Sequence, residues 1–267
     1  MGPVRQPGIL RALARWSTSI LDTRHGAERR DAAPTTWTAD QIRALLSAAG
    51  PLGLLKTAEP LRSSYGITVL LGGATTGNRL RTALARDLLS QGVDLGMLVA
   101  VTAERALSDH EHVTDPDSVS DRTEWSNLLR YLGAAFGPLR AGPAITGGAG
   151  STAWQDREFD TTVGTTLRLL VAPSRSAHRR ANTSDGLAFL LKRIPPTRRR
   201  QILIITSAIY APYQFFVGAP IVSSDGAEHA ELVGTPTGTD GDTNLLIQRI
   251  AQEIHAALNA ATKLLQP

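Results

Sequence analysis

The sequence predicts a three-layer α/β fold, a parallel sheet with helices on both of its faces. Three observations carry that expectation. Short β-branched apolar runs recur along the chain, each about as long as one buried strand. Stripes of apolar residues three and four apart, the mark of amphipathic helices, stand between them. The first run also breaks into a glycine-rich turn, Gly72-Gly73 through Asn78-Arg79, ahead of a helix and a second run, which is the order of a βαβ unit.

Residues 1–30 hold Arg5, Arg11, Arg15 and Arg24 around a short apolar run, Ile9 to Leu13. They lack the apolar core and cleavage site of a secretory signal and read as a loosely docked amphipathic helix. Residues 25–36 are polar, with Arg29-Arg30-Asp31 and Pro34, and read as a linker. Thr38-Ala39-Asp40-Gln41 has capping-box spacing, so a helix is expected to start there, with Ile42, Leu45 and Leu46 on its apolar face and Gly50-Pro51 as its stop. Residues 1–60 are thus expected to form a helical extension, and residues 61–267 the α/β domain.

Within that domain, Ile67-Thr68-Val69-Leu70-Leu71 reads as a strand buried on both faces. A helix is expected over about residues 79–91, and Met97-Leu98-Val99-Ala100-Val101 as the next strand. The pattern continues with a helical stripe through Trp125, Leu128, Leu129, Leu132 and Phe136, and then a strand over residues 167–171. A helix through Leu187, Leu190, Leu191 and Ile194 and the strand Ile202-Leu203-Ile204-Ile205 follow. A long final helix over about residues 244–265 closes the chain. Two stretches depart from the alternation: residues 137–164, rich in Gly, Thr and Ser, read as a flexible insert, and residues 234–241 as a polar loop.

Composition narrows the function classes. A chain of 267 residues with 42% hydrophobic residues supports a large core, and no run approaches the ~20 apolar residues of a membrane span. Cysteine is absent, which excludes disulfides, thiolate metal sites and a cysteine nucleophile and fits a reducing cytoplasmic setting. Lys56, Lys192 and Lys263 are the only lysines, so 25 of the 28 basic residues are arginine. With many Ala and Gly beside it, this bias fits a GC-rich genome better than a nucleic-acid surface, and the basic clusters have no interleaved aromatics.

Ligands of parallel α/β sheets bind beyond the carboxyl ends of the strands, which fixes where to look for chemistry. Beyond Leu71, the glycines Gly72 and Gly73 let backbone approach a ligand, and the helix start near Asn78 and Arg79 favours an anion. No Gly-Lys-Ser/Thr follows, so this is not a Walker loop, and the alternative is a tight turn without a ligand. Beyond Val101 come Thr102 and Glu104, the latter a candidate to accept a ribose-type hydroxyl, to act as a base, or to pair with Arg105. Asp109-His110-Glu111-His112 and Asp115 form a polar loop without recognisable metal-ligand spacing, and no metal is expected. Before the next helix, Asn182 or Thr183 is a ligand contact or an N-cap, and Asp185 an acid/base candidate. Beyond Ile205, Thr206, Ser207, Tyr210 and Tyr213 make a rim suited to an adenine or a sugar. Ser207 is not in a GxSxG elbow.

These segments resemble, in order and spacing, the YdcF/SanA-like family over roughly residues 66–222. The resemblance is carried by Leu70-Leu71-Gly72-Gly73 with Arg79-Leu80, by Asn182-Thr183-Ser184-Asp185, and by Ile205-Thr206-Ser207-Ala208 with Pro212 in register. It implies a Rossmann-like sheet and binding of S-adenosylmethionine or a related nucleotide. Where the family commonly has His and Arg after Thr-Ser, this chain has Tyr210 and Tyr213, and it reads as having no membrane anchor where several relatives have one. The expectation is a cytoplasmic Rossmann-like protein binding a nucleotide-like small molecule, with group transfer through Glu104 or Asp185 if it is an enzyme. The alternative is a non-catalytic metabolite sensor or a partner supporting another enzyme.

Overall fold

The central strands form because almost none of their side chains has a water-facing side to go to. In the computed structural model, which describes residues 7–24, 32–176, 178–238 and 242–265, β1 (Ile67–Leu71) is buried over its whole length. Ile67, Val69 and Leu71 face one core, and Leu70 faces the other. Thr68, on the Leu70 side, is tolerated there because its hydroxyl donates to the Leu95 carbonyl at 2.8 Å. Burying each large apolar side chain stabilises the fold by roughly 1.5–3 kcal/mol relative to leaving it exposed, so a run of this kind is decisive.

The described residues build a seven-stranded sheet in the order β3-β4-β5-β2-β1-β6-β7. Its strands are β1, β2 (Met97–Ala103), β3 (Arg140–Gly147), β4 (Trp154–Asp160), β5 (Thr166–Ala172), β6 (Gln201–Ser207) and β7 (His229–Thr235). β5, β2, β1 and β6 are parallel neighbours, with Leu70 abreast of Ala100 and Ile205. On one face lie α3 (Thr75–Ser90) and α5 (Glu124–Phe136), which bury Ala85, Leu88, Leu128, Leu132 and Phe136. On the other lies α6 (Thr183–Arg193), which buries Leu187, Phe189 and Leu190. This is the three-layer, Rossmann-like arrangement expected from the sequence. From β1 the chain steps outward to β2 and β5, then returns to β6 on the far side of β1. That reversal makes the carboxyl ends of β1 and β6 the topological switch point, where open α/β sheets bind ligands.

Three local expectations are corrected. The stretch expected as a flexible insert, residues 137–164, contains β3 and β4, which pair antiparallel with each other and with β5. β3 escaped notice because it is an exposed edge strand, interrupted by Gly142 and Pro143 and by an irregular register between Ala141 and Ala144. Most of β7 likewise lies in a stretch with no apolar run, although its last residues, Gly234 and Thr235, belong to the expected loop. The helix expected to begin near Arg79 begins at Thr75, so the turn itself is only Gly72 to Ala74.

By its packing the chain divides into two compact units. The sheet unit comprises residues 59–206 and 221–235, and includes α4 (Asp109–Thr114). The helical unit comprises residues 1–58, 207–220 and 236–267. It contains α1 (Pro7–Ile20), α2 (Ala39–Ala49), the greater part of α7 (Ala211–Ser224) and α8 (Thr243–Lys263). Leu21, Trp37, Leu45, Ala49, Leu54, Ile209, Ile247, Ile250 and Ala251 form its core. The long final helix therefore packs with the N-terminal helices, whereas the sequence division at about residue 60 had separated them. α2 opens with the Thr38–Gln41 capping box, as its spacing predicts. Most of the expected linker, residues 25–31, and residues 239–241 of the expected polar loop lie outside the described residues. No helix among the described residues is long and apolar enough to cross a membrane.

Candidate functional site

At the carboxyl ends of β1 and β2 the chain packs its own polar groups tightly around the glycine turn. A Cβ on Gly72 would stand 2.6 Å from Glu124 Oε1 and 2.8 Å from Thr102 Oγ1, so glycine is required by close approach. A Cβ on Gly73 would stand 3.0 Å from Arg81 Nη1. Arg81, buried beneath the turn, donates to the carbonyls of Leu71 and Gly72. The Gly73 N–H donates to Asn78 Oδ1 at 2.9 Å, and Asn78 Nδ2 donates to Asn127 Oδ1 at 3.0 Å. Asn78, read from the sequence as a ligand contact, is fully buried and anchors the turn to α3 and α5. Arg79 is exposed. We expect Gly72→Ala to cost about 1–3 kcal/mol in overpacking, read as a lower thermal midpoint; an unchanged midpoint would refute the packing described.

A charged network lies directly behind. Thr102 Oγ1 donates to Glu124 Oε1 at 2.7 Å, and Arg105 Nε donates to Glu124 Oε2 at 2.8 Å. The same guanidinium makes two bonds to Glu111, at 2.7 and 2.8 Å. Burial alone would raise the Glu111 carboxyl, but hydrogen bonds from Arg105 and Ser108 overcome it and hold the pKa down at about 2. Asp115 and Asp121 are bound in the same manner by Arg130. His112 Nδ1 lies 3.0 Å from Ser118 Oγ. Of the stretch expected as a polar loop, residues 109–114 form α4 instead; Glu111 and Asp115 are held in ion pairs and His112 in a local bond, Asp109 and His110 are exposed, and no cluster of three potential metal ligands forms among the described residues.

Three buried hydroxyls stand apart from this network: Thr235 Oγ1, at the end of β7, and two on the elements around β1 and β6. Thr75, the first residue of α3, is 1% exposed, and its Oγ1 has no hydrogen-bond partner. Thr206, next to last in β6, is 0% exposed and its Oγ1 has none either. Both belong to the sheet unit and to elements that flank the switch point. Ala74 stands at the N-cap of α3, so no side chain caps the first turn's N–H groups. Uncapped N–H groups, the positive end of a helix of this length and the Arg81 guanidinium below it suit a negatively charged group. Sequence reasoning missed Thr75, because it placed the helix start four residues too late. It also missed Arg81 and Glu124, which meet their partners only through the fold, and it read Glu111 as part of a polar loop.

The other candidates divide. Glu104 lies beyond β2, exposed, where it accepts from Trp125 Nε1 at 3.1 Å. Asn182 is the N-cap of α6, its side chain accepting from the Asp185 N–H, and Thr183 begins the helix. Asp185 is buried; Arg175 Nε donates to it at 2.6 Å, Arg179 also donates, and the Asn182 N–H bonds it at 3.1 Å. Burial would raise this carboxyl, but bonds from Arg179 and Arg175 hold it below the usual carboxylate range. A carboxylate so held is a poor proton carrier. Ser207 ends β6 half-buried. Tyr210 packs against the core of the helical unit, and Tyr213 lines a cavity of about 450 Å³ there, with Phe216 and His255.

No known family model matches this sequence, and no curated protein or solved structure matches it either.

Proposed function

We propose that the sheet unit binds a nucleotide-like small molecule, of the S-adenosylmethionine type, at the carboxyl edge of β1 and β6. The observation that carries this reading is the pair of buried, unpartnered hydroxyls, Thr75 Oγ1 and Thr206 Oγ1, on the two elements that flank the switch point. Buried polar groups are nearly always paired, and each one left alone in a folded chain calls for an explanation. A ligand whose entry opens these two positions, with an anionic group at the start of α3 and a polar atom against Thr206, supplies one. Glu104, exposed just past β2, is the carboxylate that would accept the hydroxyls of a ribose in this reading. The resemblance to the YdcF/SanA-like family points to the same class of ligand.

A second reading, binding without chemistry, is favoured by Asp185. Of the two carboxylates expected to act as acid or base, this one is held ionised by two arginines and serves the start of α6. The protein then senses a metabolite or supports another enzyme. Titration calorimetry against S-adenosylmethionine, its demethylated product and common nucleotides tests the binding common to both readings, and we expect saturable heat from at least one of them. Silence from all would end the proposal. Loss of turnover in Glu104→Ala with ligand affinity retained would favour the enzyme over the sensor.

A further inference from the structure

α1 carries two apolar faces, and among the described residues only one of them enters a core. Ala14, Ser17 and Leu21 turn inward; Ser17 Oγ lies 2.9 Å from His255 Nδ1 of α8, and Leu21 enters the core of the helical unit. Ile9, Leu13, Trp16 and Ile20 form a second stripe, and each is between 43% and 52% exposed. Large apolar side chains scattered singly on a surface need no explanation, but four in register on one helix do. Their spacing of four, three and four residues is the a/d repeat by which one helix seats its side chains between those of another.

We propose that this stripe is the seam on which a second copy of the chain docks its own α1, forming a two-fold symmetric dimer. The spacing calls for a helix of matching repeat, and α1 itself supplies it. A two-fold interface presents the same patch from both partners, and an uncharged apolar stripe meets its own copy with no opposing charges. It contains no charge, and the exposed residues beside it, Ala12 and Ser19, are small enough for close approach.

Charge placement separates this occupant from a lipid surface. A helix lying on an anionic membrane sets its cations beside the apolar face, at the level of the headgroups. Here the helical period places Arg11 and Arg15 on the far side of α1 from the stripe. Both line a shallow groove with Asn259 and Thr262 of α8, and Arg11 Nη2 donates to the Leu265 carbonyl. A membrane would meet the apolar residues without the cations, whereas a second α1 meets them without like-charge repulsion.

Sedimentation of the full chain across a wide concentration range tests the proposal. The expected result is a monomer–dimer equilibrium whose dissociation constant rises about tenfold or more in Leu13→Glu and in Trp16→Lys, with far-UV circular dichroism unchanged. An equimolar mixture of the two variants should recover association if the helices run antiparallel, where residue 13 of one copy faces residue 16 of the other. Should one variant lose its fold, the other gives the same reading. A wild-type chain that stays monomeric throughout overturns the proposal, whether or not it co-sediments with phosphatidylserine vesicles. A dimer indifferent to both folded variants overturns it as well, since another face would then make the contact.

Discussion

Arg105→Ala is expected to lower the unfolding free energy by about 3–5 kcal/mol, the range for removing one partner from a buried ion pair. Among the described residues the guanidinium is the only side-chain cation bonded to Glu124, and it holds Glu111 through two bonds. Both carboxylates are almost wholly buried, at 7% and 10% side-chain exposure. Taking the cation away leaves two charges in a medium that solvates them poorly. The loss is therefore due to stranded carboxylates more than to vanished attraction. That distinction has a consequence of its own: Arg105→Met combined with Glu111→Gln and Glu124→Gln should recover a large part of what Arg105→Ala loses. Urea denaturation of the three proteins decides the matter. An Arg105→Ala protein within about 0.5 kcal/mol of wild type, the usual range for surface changes, would show that the network contributes little.

Acid should unfold the protein through the same network. The Glu111 carboxyl moves from 4.5 in an open chain to about 2 in the fold. Because the folded value is the lower one, the unfolded state binds the proton first as pH falls. The stabilisation is complete above about pH 4.5 and is lost between there and about pH 2; by linkage it amounts to about 3 kcal/mol. Asp115 and Asp185, also held below the usual range, act in the same direction. For Asp115, burial opposes the shift, and bonds from Tyr131 and Arg130 overcome it. Denaturant unfolding followed downward from neutral pH should show a steep decline below about pH 4.5, shallower in Glu111→Gln. A wild-type curve flat to about pH 3, or a Glu111→Gln curve as steep as wild type, would contradict the assignment.

How much of this was legible in the sequence follows from burial. β1, β2, β5 and β6 lie inside the sheet with both faces covered, so they read as unbroken apolar runs. β3, β4 and β7 lie toward the edges, where glycine, proline and charge replace that signal. Helices with side-chain caps could be placed closely: at Thr38 for α2, and to within one residue, Asn182 or Thr183, for α6. α3 could not, because Ala74 offers no cap and Gly77 sits in its first turn. The site divides in the same way. Gly72, Gly73, Asn78 and Thr102 could be singled out because strand ends are predictable, and the fold brings them together around one turn. Arg105 and Glu124, nineteen residues apart, meet only through the fold, and nothing local in the sequence announces the pair.

The same uncapped helix start that hid from sequence reading is where the proposed ligand meets the chain. Titration calorimetry on wild type beside Thr75→Val and Thr206→Val is the most direct test. Removing an unpartnered buried hydroxyl should leave folding stability equal or slightly higher, so any loss of affinity reports on the ligand alone. The expected result is saturable binding of S-adenosylmethionine or a related nucleotide by the wild type, weakened about tenfold in each valine variant at undiminished thermal stability. Binding of equal strength in all three proteins, or in none of them, would contradict it.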